Sequence, residues 1–220
     1  PLSPRLVASI PMQGARYVDH QFRYLFVTDD RGLHVVDVTD QETPFIVPGA
    51  FVPMADAQNI HVARTWAYVA GGSEGLYIVD VKNPEKPNVY LREDFGGRMN
   101  DARDVVVGTT NASLIGYVAD GANGLKVLQL TSPDSQPNFY GFSPPPKPEL
   151  IAWYKTSGPA VSLSEGIKRD RAVDENGNQI AVFGRIGSRP FNEEEQRAFY
   201  QKDGALFRVT DEVRKQDFVR

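Results

Sequence analysis

One short segment is written three times in this chain: GLHVVDVTDQETP at 32–44, GLYIVDVKNPEKP at 75–87 and GLKVLQLTSPDSQP at 124–137. Each copy opens on Gly-Leu, alternates apolar side chains, and runs into a polar, proline-bearing turn. The Gly-Leu pairs are spaced 43 and then 49 residues apart. Self-similarity at such a period constrains the fold more than any single motif does. Each copy is one supersecondary unit that cannot cover its own apolar faces and must stack on its neighbours.

The surroundings of each copy repeat as well. A strand-like run precedes each one: YLFVTD from Tyr24, AYVAGG from Ala67 and GYVADG from Gly116. An alanine opens each unit at Ala15, Ala57 and Ala102, in the contexts ARYV, AQNI and ARDV. A further apolar run follows each proline turn: FIVPGAFV, NVYLREDF and ELIAWY. These runs are short, rich in β-branched and aromatic residues, and bounded by Gly, Asp, Asn and Pro, so each reads as a strand. Four strands in roughly 40–50 residues is the size of a propeller blade. The expected fold is therefore mainly β, built of β-propeller blades that are four-stranded antiparallel sheets.

Residues 1–155 are expected to form a partial β-propeller, with blades at about 14–53, 54–97 and 98–155. The third includes a proline-rich linker at 131–149. PLSPRLVASI at the start has the grammar of NPEKPNVYL, because Pro1 and Pro4 are spaced like Pro84 and Pro87. Residues 1–13 thus read as the outer-strand remnant of another blade. Propellers close with four to eight blades, so missing blades, from a longer chain or a protein partner, are expected to complete the ring. Residues 156–220 read as a small α/β appendage. Short helices are expected in SLSEGIKRDRAV and in RPFNEEEQRAFYQKDG, with Asn192 as N-cap and Gly204 as stop. QIAVFGRIG and ALFRV read as strands.

Alternation in GLYIVDV puts Leu76, Ile78 and Asp80 on one face and Tyr77, Val79 and Val81 on the other. Both faces are apolar, as in a sheet sandwiched between neighbours. The glycine before the leucine suits a positive φ or a close backbone approach. Asp37 and Asp80 end their strands, where a carboxylate accepts from turn amides; one carboxylate per unit makes a poor calcium site.

LHVVDV, LYIVDV and LKVLQL, each followed by a proline turn, resemble the LVIVD repeat family. The resemblance covers about residues 1–155 and is weakest in the third copy, where Gln129 stands in the place of Asp37 and Asp80. It implies a β-propeller of a bacterial or archaeal surface or exported protein, hence a periplasmic, extracellular or cell-surface location. Related tails behind such repeats imply one partner, a multihaem c-type cytochrome. Any haem would sit on that partner, because this chain has no cysteine and so no attachment site for a c-type haem.

The chemistry-bearing residues are few. The net charge of −4 gives no reason to expect nucleic acid as a partner, and no apolar run reaches the ~20 residues of a membrane span. His20, His34 and His61 lack the spacing of a metal motif. DENGNQ at 174 begins like a calcium loop but has Gln179 where the glycine belongs and Arg185 where the glutamate belongs. One polar constellation recurs, next to the opening alanines: Arg16 and Tyr17, Gln58 and Asn59, Arg103 and Asp104, with His61 nearby. In a propeller these positions converge at one mouth of the central channel. They form either a ligand-binding funnel or the polar joints between blades. In the tail, Arg169, Arg171 and Arg185 form either structural ion pairs or an anion-binding interaction site.

No catalytic residue, metal site or cofactor is assigned. The leading expectation is a non-enzymatic interaction or scaffold module of an exported or cell-surface assembly. The alternatives are an electron-transfer accessory packed on a cytochrome, and a propeller hydrolase or lyase with its site at the channel mouth.

Overall fold

A computed structural model describes residues 3–109, 113–132, 136 and 143–164. Beyond these it describes 171–173, 179–181, 185–186, 189–190, 192, 194, 201–202 and 204–206. The chain divides into two units, 1–165 and 166–220.

The first unit is three four-stranded antiparallel sheets in sequence order. Blade 1 holds β1 (Tyr17–Gln21), β2 (Tyr24–Thr28), β3 (Gly32–Asp37) and β4 (Phe45–Pro53). Blade 2 holds β5 (Ile60–Ala63), β6 (Trp66–Ala70), β7 (Leu76–Asp80) and β8 (Asn88–Glu93). Blade 3 holds β9 (Asp104–Thr109), β10 (Leu114–Ala119), β11 (Leu125–Thr131) and β12 (Glu149–Tyr154). Registers repeat too. Gly-Leu opens the third strand opposite the end of the second, so Thr28, Ala70 and Ala119 face Leu33, Leu76 and Leu125. The outer strand bulges at a matching place in every blade, between His34 and Val36, Ile78 and Val79, and Val127 and Leu128. A bulge there bends the exposed edge strand and blunts it against stray pairing.

Burial shows how the blades stack. All five residues of β6 are buried, whereas β2 alternates buried and half-buried. β11 alternates in the same way over most of its length. Blade 2 is therefore covered on both faces; blade 1 is covered on both faces only along β3, all six of whose residues are buried, and β2 and β11 are fully covered on one face each. Two apolar clusters fill the gaps. The first joins Tyr24, Phe26, Leu33 and Val35 of blade 1 to Ala67, Val69, Tyr77 and Val79 of blade 2. The second joins Trp66, Tyr68, Leu76 and Ile78 of blade 2 to Val118, Leu128 and Leu130 of blade 3. Blades 1 and 2 thus each have a trailing face, carrying an aromatic and a leucine, that meets the leading face of the next. The alternation expected for Leu76 and Ile78 against Tyr77 and Val79 is the one observed.

The glycine of each Gly-Leu pair meets both demands expected of it. Gly75 has φ +80°, and a Cβ there would lie 2.5 Å from the Glu93 carbonyl oxygen. Gly124 has φ +79°, with the Tyr154 carbonyl oxygen 2.2 Å from the same point. Asp37 and Asp80 close turns as expected, accepting from the amides of Thr39 (2.7 Å) and Lys82 (2.9 Å).

Residues 3–12 form no strand, and among the described residues nothing pairs with them. In the second unit the described residues are almost all strand: β13 (Arg171–Val173), β14 (Gln179–Ala181), β15 (Arg185–Ile186) and β16 (Arg189–Pro190) make one antiparallel sheet. β17 (Gln201–Lys202) pairs with β18 (Ala205–Leu206). Two expectations change here. Arg171–Val173 is a strand rather than the end of a helix, because it has Gln179–Ala181 to pair with. Gly204 (φ +76°) turns a hairpin instead of stopping a helix. Asp-Gly between Lys202 and Ala205 is a strong two-residue hairpin signal, and it outweighs the helical pattern before it. Glu194 is helical; the rest of the helix expected at 192–200 lies outside the described residues, apart from Asn192.

Candidate functional site

The first strand of each blade starts, the second ends and the third starts at one end of the sheet. The recurring polar residues sit there. Arg16 donates through Nη1 to Asp56 Oδ1 (2.6 Å) and to the Ala57 carbonyl (3.0 Å), binding blade 1 to the start of blade 2. Gln58 Nε2 donates to the same Asp56 oxygen at 2.7 Å. Thr28 Oγ1 donates to the Gln58 carbonyl at 2.8 Å. Asn59 Nδ2 donates to Asp104 Oδ1, joining blade 2 to blade 3. Further down the inner strands, Asp19 accepts from the Val62 amide (2.6 Å), and Gln21 Nε2 donates to the Arg64 carbonyl (2.5 Å).

Arg103 donates to Asp101 at 2.5 Å. Its guanidinium is held above its ordinary pKa, first by Asp101 and more weakly by Asp56 and Tyr17. Arg103, Asp56 and Tyr17 come from three blades. Tyr17 is exposed on β1 opposite Thr28, and His61 lies half-buried on β5 opposite Tyr68. In the tail, Arg171 and Arg185 are both register partners of Ala181. Arg169 lies outside the described residues.

Sequence reading missed Asp56 and Asp101, although both precede an opening alanine. Each packs on a hairpin glycine of its own blade. A Cβ at Gly72 would lie 2.4 Å from Asp56 Oδ2, and one at Gly121 would lie 1.8 Å from Asp101 Oδ2. In blade 1 the pair is reversed, with Gly14 against Asp30. A second exchange runs beside it. Asp29 Oδ2 is 2.9 Å from His34 Nε2, and Asp120 Oδ2 is 3.6 Å from Lys126 Nζ. In blade 2 the same two places hold Gly71 and Tyr77, where a Cβ on the glycine would lie 2.7 Å from the ring. Where the strand brings a nitrogen-bearing side chain, His34 or Lys126, the hairpin brings a carboxylate; where it brings the Tyr77 ring, the hairpin brings a glycine. Burial raises the Asp120 pKa, and the Asp101 amide and Lys126 only partly offset it. Burial also disfavours the Asp29 charge, yet bonds from Arg31, His34 and Gly32 bring its pKa below the ordinary value.

The methionines form a third recurrence. Met12, Met54 and Met99 each stand three residues before an opening alanine and are the only methionines in the chain. Met54 sits in the first core cluster and Met99 in the second. Met54 and Met99 are each a knob plugged between two blades, whereas Met12 is half-buried.

Among the described residues no group of three His, Asp or Glu side chains is placed to hold a metal ion. At the opposite end of blades 1 and 2 a cavity of about 340 Å³ is lined by Asp37, Phe45, Val47, Pro48, Glu85 and Lys86. Its acids are already engaged, Asp37 by the Thr39 amide and Glu85 by the Tyr24 hydroxyl at 2.9 Å.

Residues 55–94, essentially blade 2, match the LVIVD repeat. The chain carries an LVIVD repeat. With the three stacked sheets around it, this makes residues 14–155 a run of β-propeller blades, of which the LVIVD repeat is the middle one. No curated protein matches the chain.

Proposed function

We propose that this β-propeller module is a non-enzymatic scaffold of an exported or cell-surface assembly, and that its recurring polar chemistry is structural. The observation that carries the reading is the use made of the polar rim. Arg16 to Asp56, Thr28 to the Gln58 carbonyl, and Asn59 to Asp104 link adjacent blades at this end of the sheets. A ligand funnel needs convergent groups that stay open to the channel. Here Asp56 alone receives both Arg16 and Gln58.

Thermal unfolding of Arg16→Ala and Asn59→Ala tests this. Each change removes one bond between blades, worth about 1 kcal/mol, or about 2–4 °C in midpoint for a unit of this size. Unchanged midpoints, together with a small molecule that stabilises the wild type and neither variant, would overturn the scaffold reading in favour of a binding funnel.

A further inference from the structure

At the end of the sheets away from the polar rim, each joint is crossed by the connection between the third and outer strands of the later blade. Equivalent places are marked by the residue before the second strand. The Arg23 carbonyl accepts from the Val38 amide (2.8 Å), and the Thr65 carbonyl from the Val81 amide (3.0 Å). Tyr24 and Trp66, one residue on, stand opposite Asp37 and Asp80. From blade 2 to blade 1 the connection reaches back through Glu85, which accepts from the Tyr24 hydroxyl at 2.9 Å. From blade 3 to blade 2 it reaches back through Ser143, whose Oγ is 2.6 Å from Thr65 Oγ1.

The two gaps differ in what fills them. From Ser143 on blade 2 the chain returns to blade 3 at Lys147, whose amide donates to the Leu130 carbonyl at 2.8 Å. The prolines at 144–146 therefore span the gap between blades 2 and 3. They form no helix, turn or strand; Pro144 and Pro146 are buried and Pro145 is exposed. The Pro145 carbonyl is held by Gln136 Nε2 at 2.8 Å. Blade 2 has only the shorter NPEKP at 83–87 for the same task. Between blades 1 and 2 that leaves the cleft of about 340 Å³, lined by buried Val47 and by exposed Phe45 and Pro48.

We infer that the cleft between blades 1 and 2 takes a proline-rich segment of a partner protein, as the equivalent gap takes Pro144 and Pro146. This rests on the scaffold reading and specifies the chemistry of the partner. The volume is at the small end of ligand pockets, roughly 300–1,000 Å³, which suits a short stretch of chain. An extended proline run is already ordered, so it loses little entropy on docking, and its rings pack well on an aromatic such as Phe45. Proline also brings no N–H. That matters here, because Asp37 and Glu85 already accept from the Thr39 amide and the Tyr24 hydroxyl. The prolines of a second copy fit less well, because Pro144 and Pro146 are already buried in their own chain.

The probe is a fluorescein-labelled peptide of sequence SPPPKP, the sequence of residues 143–148, titrated with the 220-residue protein and read by anisotropy. Saturable binding is expected, weakened roughly tenfold or more when every proline of the peptide becomes alanine. Phe45→Ala is expected to weaken it by roughly fivefold or more; where that variant lowers the urea midpoint, Pro48→Asp gives the reading instead. Trp153→Ala, which removes an exposed aromatic from the outer strand of blade 3, is expected to leave binding unchanged. Absence of saturable binding, equal binding of the alanine peptide, or an equal loss in Trp153→Ala would overturn the proposal. So would self-association of the chain that the peptide competes away, which makes a second copy the occupant. The midpoints of Arg16→Ala and Asn59→Ala are read without peptide and at the other end of the sheets, so failure of docking and failure of the scaffold reading are told apart.

Discussion

Blade 3 should accept the solution that blade 2 uses between hairpin and third strand, but only when both residues change together. The Asp120 side chain is 0% exposed and that of Lys126 is 8% exposed, with 3.6 Å between charges. Asp120 Oδ1 also accepts from the Asp101 amide at 2.7 Å, while Oδ2 has no hydrogen-bond partner. Lys126→Tyr alone strands a buried carboxylate and drives a ring into it. Removing one partner of a buried pair costs about 3–5 kcal/mol, and overpacking adds about 1–3. Asp120→Gly alone leaves the Lys126 ammonium, among the described residues, with the Asn123 carbonyl 3.2 Å away, again a loss of about 3 kcal/mol. The double variant removes both charges and opens the space that Gly71 opens for Tyr77. What remains lost is the bond to the Asp101 amide, about 1 kcal/mol. Urea unfolding of the wild type, both single variants and the double variant closes the cycle. The expected coupling is at least about 3 kcal/mol, with the double variant more stable than either single one. Additivity within about 0.5 kcal/mol, the behaviour of independent sites, would refute the argument that these positions are one spatial slot.

The same logic predicts that Gly71→Asp destabilises blade 2 by driving a side chain into the Tyr77 ring, and that adding Tyr77→Lys recovers most of the loss in the same urea assay. Met99→Ala should cost about 2–4 kcal/mol as a buried core truncation, against less than about 1 kcal/mol for half-buried Met12→Ala, read from the shift in urea midpoint. Asp29 has a depressed folded pKa, so its stabilising share is complete above the unfolded value near ~3.9 and disappears as pH falls through the folded value. Asp29→Asn should therefore lower stability at pH 7 and cost progressively less below about pH 4, as a pH series of melting midpoints would show.

What the sequence disclosed and what it hid divide along a physical line. Strand number, strand order and face alternation were legible because each is set by local pattern: Leu76 and Tyr77 differ by one residue, and a period of two assigns them to opposite faces. The glycines at 75 and 124 were legible because positive φ and close approach leave few other residues possible. The joints between blades were not, because their partners lie about 40 residues apart and their meaning appears only when the repeats are aligned in space. Asp56 reads as an ordinary loop acid until Gly72 is found beneath it and Arg16 above it. Reciprocal pairs were hidden for a further reason: Asp29 with His34, Gly71 with Tyr77 and Asp120 with Lys126 share no residue type at the strand position. They keep a complementary fit between hairpin and strand rather than an identity. The alanine at 160 escaped notice because a long proline-rich loop displaces it from the period and no methionine precedes it. Its backbone bonds to Gly121 nevertheless repeat those of Ala102 to Gly72. Because that joint needs only a small residue and a free peptide group, the seat can be kept while the strand pattern around it is lost. The repeat therefore extends further in hydrogen bonding than in sequence, from the Gly72–Ala102 joint to the Gly121–Ala160 joint.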